Sequence, residues 1–347
     1  MVLRNHQTNA AATAGQAETL YLSGRPSLRG FVRYVTDRAL SPPARGALVE
    51  TWQAARERVH KLEKFEAGAA DHPKIIRLGR HYEPLLVEFF KDPLVRPSFN
   101  SVPTDIALVP LDRLVVYQKH IDLSFAAELR RELGDEPDEE RVFRACLGQD
   151  RAAPPASWSS VGRGTFVFVS PSADLRFLGA AGLKGSQVSG WAPAGTVVGV
   201  VAICAGFGTN FLNALFANNR LILNNGSHRA YALRSAGVTH VPCVIQHVAD
   251  REELALVGPE AVRRRPELYL EHPRPPMLKD YFDPELRLVL LAQRRVRQVT
   301  VRFQVEECFV PALEPAAGAS ASEPLSAATA ARLPEPPRSD ASARSAR

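Results

Sequence analysis

A short segment in the second half of the chain combines residue types that bind anions. Gly226, Ser227, His228 and Arg229 follow a predicted strand and open a predicted helix over 227–236. The first backbone N–H groups of a helix have no partner within the helix, and the helix dipole adds partial positive charge there. Gly226 lets the backbone approach a ligand closely, His228 can donate a hydrogen bond, and Arg229 adds a guanidinium that matches two phosphate oxygens. The segment therefore predicts a phosphate site.

The same residues also permit a purely structural interpretation. Asn224, Asn225 and Gly226 are typical of a tight turn, Ser227 is a good helix N-cap, and Arg229 can pair with a surface carboxylate. In the phosphate interpretation Ser227 caps the helix or binds the anion, and Asn225 joins the ligand-binding residues. The local pattern alone leaves both interpretations open.

The periodicity of apolar residues predicts the elements that hold this segment. Spacings of three and four predict helices, whereas runs rich in β-branched residues and strict alternation predict strands. Helices are predicted over 27–38, within 43–68, and over 82–91, 123–133, 139–147, 227–236 and 251–256. Strands are predicted over 106–109, 114–117, 165–170, 196–204, 212–216, 221–223, 241–247 and 299–305.

Several of these elements carry more specific expectations. Asn218 and Asn219 predict the turn between the strands at 212–216 and 221–223, and Gly237 predicts a helix end. The strand at 299–305 is expected to pair with 286–291 in a C-terminal β-hairpin. The longest apolar run, 192–209, is interrupted by glycines and prolines and is predicted to contain a buried strand.

Residues 205–247 resemble the signature of the ParB/sulfiredoxin-like superfamily. In that signature a strand pair precedes G-x-x-R-x-x-A, which opens a helix, and here the matching residues are Gly226, Arg229 and Ala232. Residues 104–133, which contain Tyr117-Gln-Lys-His, are similar to the first strand, the Y-Q segment and the first helix of the family. The resemblance implies an α+β domain that binds a nucleoside triphosphate, ATP or CTP, with Mg²⁺.

The chain also departs from the family pattern. Ser227 stands where sulfiredoxins carry the catalytic cysteine, so reduction of a sulfinic acid is not expected. No helix-turn-helix is recognisable after residue 250, so sequence-specific DNA binding is not expected either. Residues 137–194 form an insertion that compact members of the family lack, and substrate contacts there cannot be inferred from the resemblance.

Three functions fit these residues. The first is a small-molecule phosphoryl transferase that resembles the free-serine kinases of the superfamily. In this hypothesis His228 contacts the transferred phosphoryl group, and Lys119 and His120 contact phosphate oxygens. Asp122 is the general base for the acceptor hydroxyl. The second is a switch, gated by CTP or ATP, that binds a partner without turnover. The third is a nucleic-acid-binding or nuclease-like protein that uses the arginine runs at 263–265 and 294–297. It ranks last because no DNA-reading module is recognisable and no aromatic residues interleave the runs.

Composition sets the expected organisation of the chain. With 45% hydrophobic and 23% charged residues the chain has globular composition, which excludes collagen, coiled coil and a wholly disordered protein. We expect an α+β ParB/sulfiredoxin-like domain over 104–250, a helical N-terminal cap over 21–103 and an extension with the hairpin over 251–311. Residues 312–347 are expected to be disordered because they contain no aromatic and no β-branched apolar residue to bury, and residues 1–20 are expected to be disordered because their composition is similar though less biased.

Composition also bears on location and partners. The net charge of +6 permits nucleotide or nucleic-acid binding. The four cysteines form no C-x-x-C pair and are expected as small buried residues without a metal. No secretory signal is recognisable in the first fifteen residues, so a cytoplasmic protein without membrane contact is expected.

Overall fold

Helices and strands follow one another irregularly along the chain, which gives a mixed α+β fold. The computed structural model describes residues 15–93, 95–148, 154–162, 164–172, 174–190 and 195–309. The described helices are α1 (Leu28–Arg38), α2 (Arg45–Phe65), α3 (Glu83–Lys91), α4 (Val95–Ser98), α5 (Leu123–Leu133), α6 (Glu139–Leu147), α7 (Ser227–Ser235), α8 (Arg251–Val257) and α9 (Glu260–Arg264). The described strands are β1 (Gln16–Leu22), β2 (Ile76–Arg77), β3 (Thr104–Pro110), β4 (His120–Asp122), β5 (Ser157–Ser160), β6 (Thr165–Ser170), β7 (Leu175–Leu183), β8 (Val200–Phe207), β9 (Asn213–Ala217), β10 (Arg220–Asn225), β11 (His240–His247), β12 (Arg287–Gln293) and β13 (Arg297–Arg302).

The predicted helices are confirmed. At the first turns of α1, α5, α6 and α8 a polar side chain accepts from backbone donors that the helix itself leaves free. Ser27 accepts a hydrogen bond from the backbone N–H of Gly30 at the start of α1, with a distance of 3.2 Å. Asp138 accepts one from Arg141 at the start of α6, at 2.7 Å. Short 3₁₀ turns at Arg80–Tyr82, Leu111–Arg113, Gly185–Gln187 and Leu278–Phe282, and a π-helical turn at Glu267–Glu271, lie between the regular elements.

A five-stranded sheet forms the centre of the fold, with strand order β10-β9-β11-β3-β2. Strands β9 and β11 run parallel, and the other neighbours run antiparallel. The β9–β10 hairpin turns at Asn218 and Asn219, which have φ angles of 47° and 59°. A two-residue hairpin of this kind needs two positive φ angles, and asparagine tolerates them better than most residues. The predicted strand pair and its turn are therefore confirmed.

The core lies against this sheet. Helices α5, α6 and α7 bury apolar side chains such as Leu129, Phe143 and Leu233 against sheet residues such as Val109 and Ile245. On the other side, a second cluster packs the π-helical turn and the segment around Met277 against Leu215 and Ile222. The region 137–194, predicted as an insertion, therefore begins with a helix, α6, that belongs to the core.

A second sheet joins distant parts of the chain in the order β12-β1-β4. Strand β1 occupies Gln16–Leu22, which corrects the prediction of disorder for that part of residues 1–20; residues 1–14 lie outside the described residues. Composition misled here because β1 pairs on both edges and buries its few apolar residues, among them Ala17 and Leu20, in the core. Helix α1 covers one face of this sheet.

Two further sheets correct the predictions for the C-terminal half. The hairpin predicted between 286–291 and 299–305 is wrong, because β12 pairs with β1 while β13 pairs with β6 in the sheet β13-β6-β5. Strands β7 and β8 form an antiparallel ribbon of their own. The apolar run at 192–209 contains β8, yet Val201 is 75% exposed, so the prediction of a buried strand is also wrong. The apolar side chains of β8 lie on a ribbon with no further strand beside it among the described residues.

The end of the chain is described only in part. Residues from Phe303 onward form a separate unit, and its described residues, 303–309, contain neither helix nor strand. The tail predicted to be disordered, 312–347, lies outside the described residues. Within the described part of the chain, every helix is too short or too polar to cross a membrane.

Candidate functional site

Local geometry fixes the start of α7, the helix at the predicted phosphate site. Gly226 is the N-cap residue and has a φ of 98°, a left-handed conformation that favours glycine. A Cβ atom added there would lie 3.2 Å from Cγ of Leu212, so the position is also tightly packed. At the other end, Gly237 has a φ of 83° and follows the last turn, as predicted. The backbone therefore holds the first turn of α7 in one place at the end of β10.

His228 lies in the first turn of α7 and is partly buried. Its imidazole meets the ring of Phe125 edge to face, with 5.6 Å between the ring centroids. Burial, and to a smaller extent the proximity of His120, lowers the pKa of His228 to about 4, although the carboxylate of Asp122 acts in the opposite direction. At neutral pH this imidazole is therefore uncharged and presents one N–H donor and one acceptor.

The residues predicted from the Y-Q segment come together with His228. His120 and Asp122 begin and end β4, and Asp122 is the N-cap of α5, where its carboxylate accepts a hydrogen bond from the backbone N–H of Phe125 at 3.1 Å. Burial lowers the pKa of His120, and the charge of Arg38 lowers it further. Helix α5 packs against α7, so the amino ends of two helices meet around two imidazoles and one carboxylate.

Arg229 has a different position from the one predicted. Its side chain is only 4% exposed and donates to the carbonyl oxygen of Cys146 at 2.8 Å, to the carbonyl oxygen of Asn210 at 2.7 Å and to Oδ1 of Asn210 at 2.6 Å. These acceptors belong to the end of α6 and to the loop before β9. The guanidinium thus ties three segments of the protein together, which corrects the expectation that it faces a phosphate group.

The remaining predicted residues have mixed positions. Ser227 is buried as the first residue of α7, and it does not cap the helix because Gly226 occupies that position. Asn225 donates weakly to the carbonyl oxygen of Thr209, at 3.4 Å. Lys119 is exposed, and its backbone carbonyl accepts a hydrogen bond from Leu22. Of the predicted site residues, His228, His120 and Asp122 lie in one cluster, because α7 contacts both β4 and α5 and Phe125 meets the ring of His228.

Sequence reasoning missed the residues that surround this cluster. The ring of Tyr34, from α1, has its centroid 6.1 Å from that of His120. Asn210 and Cys146 provide the acceptors for Arg229. No spacing signal could have found these residues, because they come from segments far apart in the chain that only the tertiary fold brings together.

Neither of two surface clefts coincides with the cluster. One is lined by residues of α3, including Leu86 and Phe90. The other lies between the end of α2 and Lys279 and also includes Arg113. Among the described residues, no three or more His, Cys, Asp and Glu side chains gather in a way that could hold a metal ion.

The arginine runs suggested as nucleic-acid contacts lie on different elements. Arg264 pairs with Glu260 within α9, with 2.5 Å between Nη2 and Oε1. Arg295 donates to the carbonyl oxygen of Asp37 at 2.9 Å. Both arginine side chains therefore have partners within the protein. These contacts give no reason to prefer a nucleic-acid interface at the arginine runs over the cluster at α7 as the functional site.

Of the cysteines, Cys146 and Cys243 are buried as expected, whereas Cys204 and Cys308 are exposed. The expectation of four small buried residues is therefore wrong for two of them. Burial raises the pKa of Cys243, so its thiol stays protonated at neutral pH.

Comparison with known proteins finds no match: no family model, no curated protein and no solved structure resembles the chain. The site must therefore be interpreted from its own geometry.

Proposed function

We propose that the protein binds a nucleoside triphosphate at the amino end of α7 and that it transfers a phosphoryl group to a small hydroxyl compound. The observation that supports this proposal is the meeting of His228, His120 and Asp122 where α5 and α7 begin. The resemblance to the ParB/sulfiredoxin-like superfamily stays a prediction and is the reason for naming ATP and CTP as the first candidates.

The residues of the cluster fit a phosphate ligand. Two partly buried imidazoles that are uncharged at neutral pH can each donate one hydrogen bond to an oxyanion. The first N–H groups of α7 add donors and partial positive charge. Lys119 precedes β4 in the chain and is exposed. Mg²⁺ is usually held by the phosphates together with one or two carboxylates, so no cage of protein ligands is required.

Asp122 is the candidate base for the acceptor hydroxyl. One carboxylate oxygen, Oδ1, caps α5 at the backbone N–H of Phe125, which leaves the other oxygen to accept a proton. The cap also orients the carboxylate, because a side chain held by a backbone donor has few alternative rotamers. Arg229 has no role in this proposal beyond holding the fold.

Binding is tested first, by calorimetric titration of the intact chain with ATP, CTP and GTP in the presence of Mg²⁺. We expect one of them to bind, and we expect His228→Gln to weaken that binding about 10- to 150-fold, the effect of one lost hydrogen bond to a charged group. His60→Gln is the matched control, since His60 lies exposed on α2 and should leave the affinity unchanged. Failure of all three nucleotides to bind would end the proposal.

Turnover is tested separately, with nucleotide labelled at the γ-phosphate and a pool of hydroxyl metabolites. A general base contributes roughly 10²- to 10⁴-fold to the rate, so Asp122→Asn should bind nucleotide normally and lose that factor in transfer. If the label never leaves the nucleotide in the wild type, the enzyme function is wrong and a nucleotide-gated binding switch takes its place.

A further inference from the structure

Helix α1 of the N-terminal region lies next to the cluster at α7. In the antiparallel pair of β1 and β4, Tyr21 stands opposite His120 and Thr19 opposite Asp122, and residues opposite one another point to the same face of a sheet. Tyr34 stacks on Tyr21 with 4.0 Å between the ring centroids. This stacking fixes the end of α1 over the face of the sheet that carries the imidazole of His120.

Arg38 comes one helical turn after Tyr34 and is directed back over it. Its Cζ atom lies 5.5 Å from the centroid of the Tyr34 ring, and the side chain is partly buried. The charge of Arg38 is close enough to His120 to lower the pKa of that imidazole, and it acts on Tyr34 as well. Within the described part of the chain, no carboxylate pairs with Arg38. A second cation, Arg295, also acts on Tyr34.

We infer that Arg38 binds the phosphate group of the ligand together with His120 and His228. This inference rests on the proposed function and names the cation that Arg229 does not supply. The guanidinium of Arg38 is partly buried over the ring of Tyr34 and has no carboxylate partner among the described residues, so an oxyanion between α1, β4 and α7 could accept its N–H donors. The shape of the cation matters, because its planar fork can donate two parallel hydrogen bonds to one phosphate group.

The geometry also explains why the site takes an anion although Asp122 is near. The carboxylate of Asp122 is engaged at the amino end of α5. Arg38 approaches from α1, on the face where Tyr34 and His120 meet. The ligand class is therefore a phosphate ester or polyphosphate whose terminal group reaches the end of α1. A structural role in the last turn of α1, where a basic side chain favours the helix dipole, is the competing explanation.

The experiment uses the intact chain and three variants, Arg38→Ala, Arg38→Lys and Arg33→Ala. Arg33 lies exposed on the same helix and provides the control for removal of one charge from α1. Affinity for ATP, CTP and inorganic pyrophosphate is measured by calorimetry, and each variant is also unfolded in urea. We expect Arg38→Ala to weaken binding about 10- to 100-fold, Arg38→Lys to recover only part of the loss, and Arg33→Ala to stay within twofold.

The outcomes separate the inference from the proposed function. If the wild type binds a nucleotide and Arg38→Ala binds it equally well, the inference is wrong while the proposed function stands. If the wild type binds none of the three probes and no GTP either, both are wrong. Should Arg38→Ala prove unstable, Arg38→Lys decides the question, because it keeps the charge in the last turn of α1 and removes only the fork. Unchanged affinity in Arg38→Lys, together with loss of stability in Arg38→Ala, would establish the purely structural role.

Discussion

Replacement of Arg229 distinguishes most sharply between a ligand-binding and a structural arginine. Arg229→Ala removes at least three hydrogen bonds, which reach Cys146 and Asn210 at 2.6–2.8 Å from a side chain that is 4% exposed. A hydrogen bond from a charged donor contributes about 1.5–3 kcal/mol, and each acceptor left buried without a donor costs about 1–3 kcal/mol. These effects overlap, so we expect the free energy of unfolding to fall by about 3–5 kcal/mol.

The assay is urea unfolding followed by circular dichroism, without any ligand. Arg131→Ala is the matched control, because Arg131 is exposed on α5, and we expect that change to stay within about 0.5 kcal/mol. Arg229→Lys should lose an intermediate amount, since one ammonium group cannot reach acceptors on two separate segments with the geometry of a fork.

A stable Arg229→Ala protein would refute this reasoning. If its unfolding midpoint matched that of the wild type while nucleotide affinity fell by about 1.5–3 kcal/mol, the phosphate interpretation of Arg229 would return. The protein would then have to rearrange around α6 and the loop before β9 to free the guanidinium.

Three further predictions concern the start of α7 and the cap of α5. Gly226→Ala should destabilise the protein by about 1–3 kcal/mol, because its φ of 98° disfavours any Cβ and Leu212 lies 3.2 Å from the new atom; urea unfolding measures this. The native pKa of His228 is about 4 against 6.5 in the unfolded chain, so the unfolded state binds more protons between these values and stability falls as pH drops from about 6.5 to 4. The loss should reach about 2–3 kcal/mol, and a His228→Gln protein that keeps the full pH dependence would contradict it. Asp122→Ala should cost about 1 kcal/mol of stability through loss of the bond to Phe125, whereas Asp122→Asn, which still caps the helix, should cost less than half of that.

Local signals in the sequence were sufficient for much of the fold. Ser27 marked the start of α1, the Asn218–Asn219 pair marked the β9–β10 turn, and Gly237 marked the end of α7, because each of these effects acts within a few residues. The irregular order of helices and strands also indicated a mixed α+β fold.

Strand partners could not be predicted in the same way. Alternation of apolar and polar residues predicted a half-exposed strand over 299–305, and β13 lies slightly earlier, at Arg297–Arg302. The alternation contains no information about which edge the strand joins. Consecutive strands usually pair with each other since the loop between them is short, and the hairpin prediction depended on that tendency. Here β1 provides an antiparallel partner along the whole of β12, so the last two strands enter different sheets.

The site was predicted in part for a similar reason. Residue types and spacing identified His228, His120 and Asp122 as candidates for phosphate binding or base catalysis, and these three residues lie close together in the fold. The sequence could not reveal the direction of the Arg229 side chain, because its acceptor on Cys146 lies in the region interpreted as an insertion. Nor could it reveal Arg38, which reaches the site only because β1 aligns with β4.

The pairing of β1 with β12 sets an order of events during synthesis on the ribosome. Gln16 finds its partner only when Gln293 has left the ribosome, although β1 also lies beside β4. At about 5–20 residues per second, the first strand waits for tens of seconds with one edge unpaired. During that interval the backbone donors and acceptors on that edge are open to other extended chains. The other edge of β1, which faces His120, can be paired much earlier, as soon as Asp122 has left the ribosome.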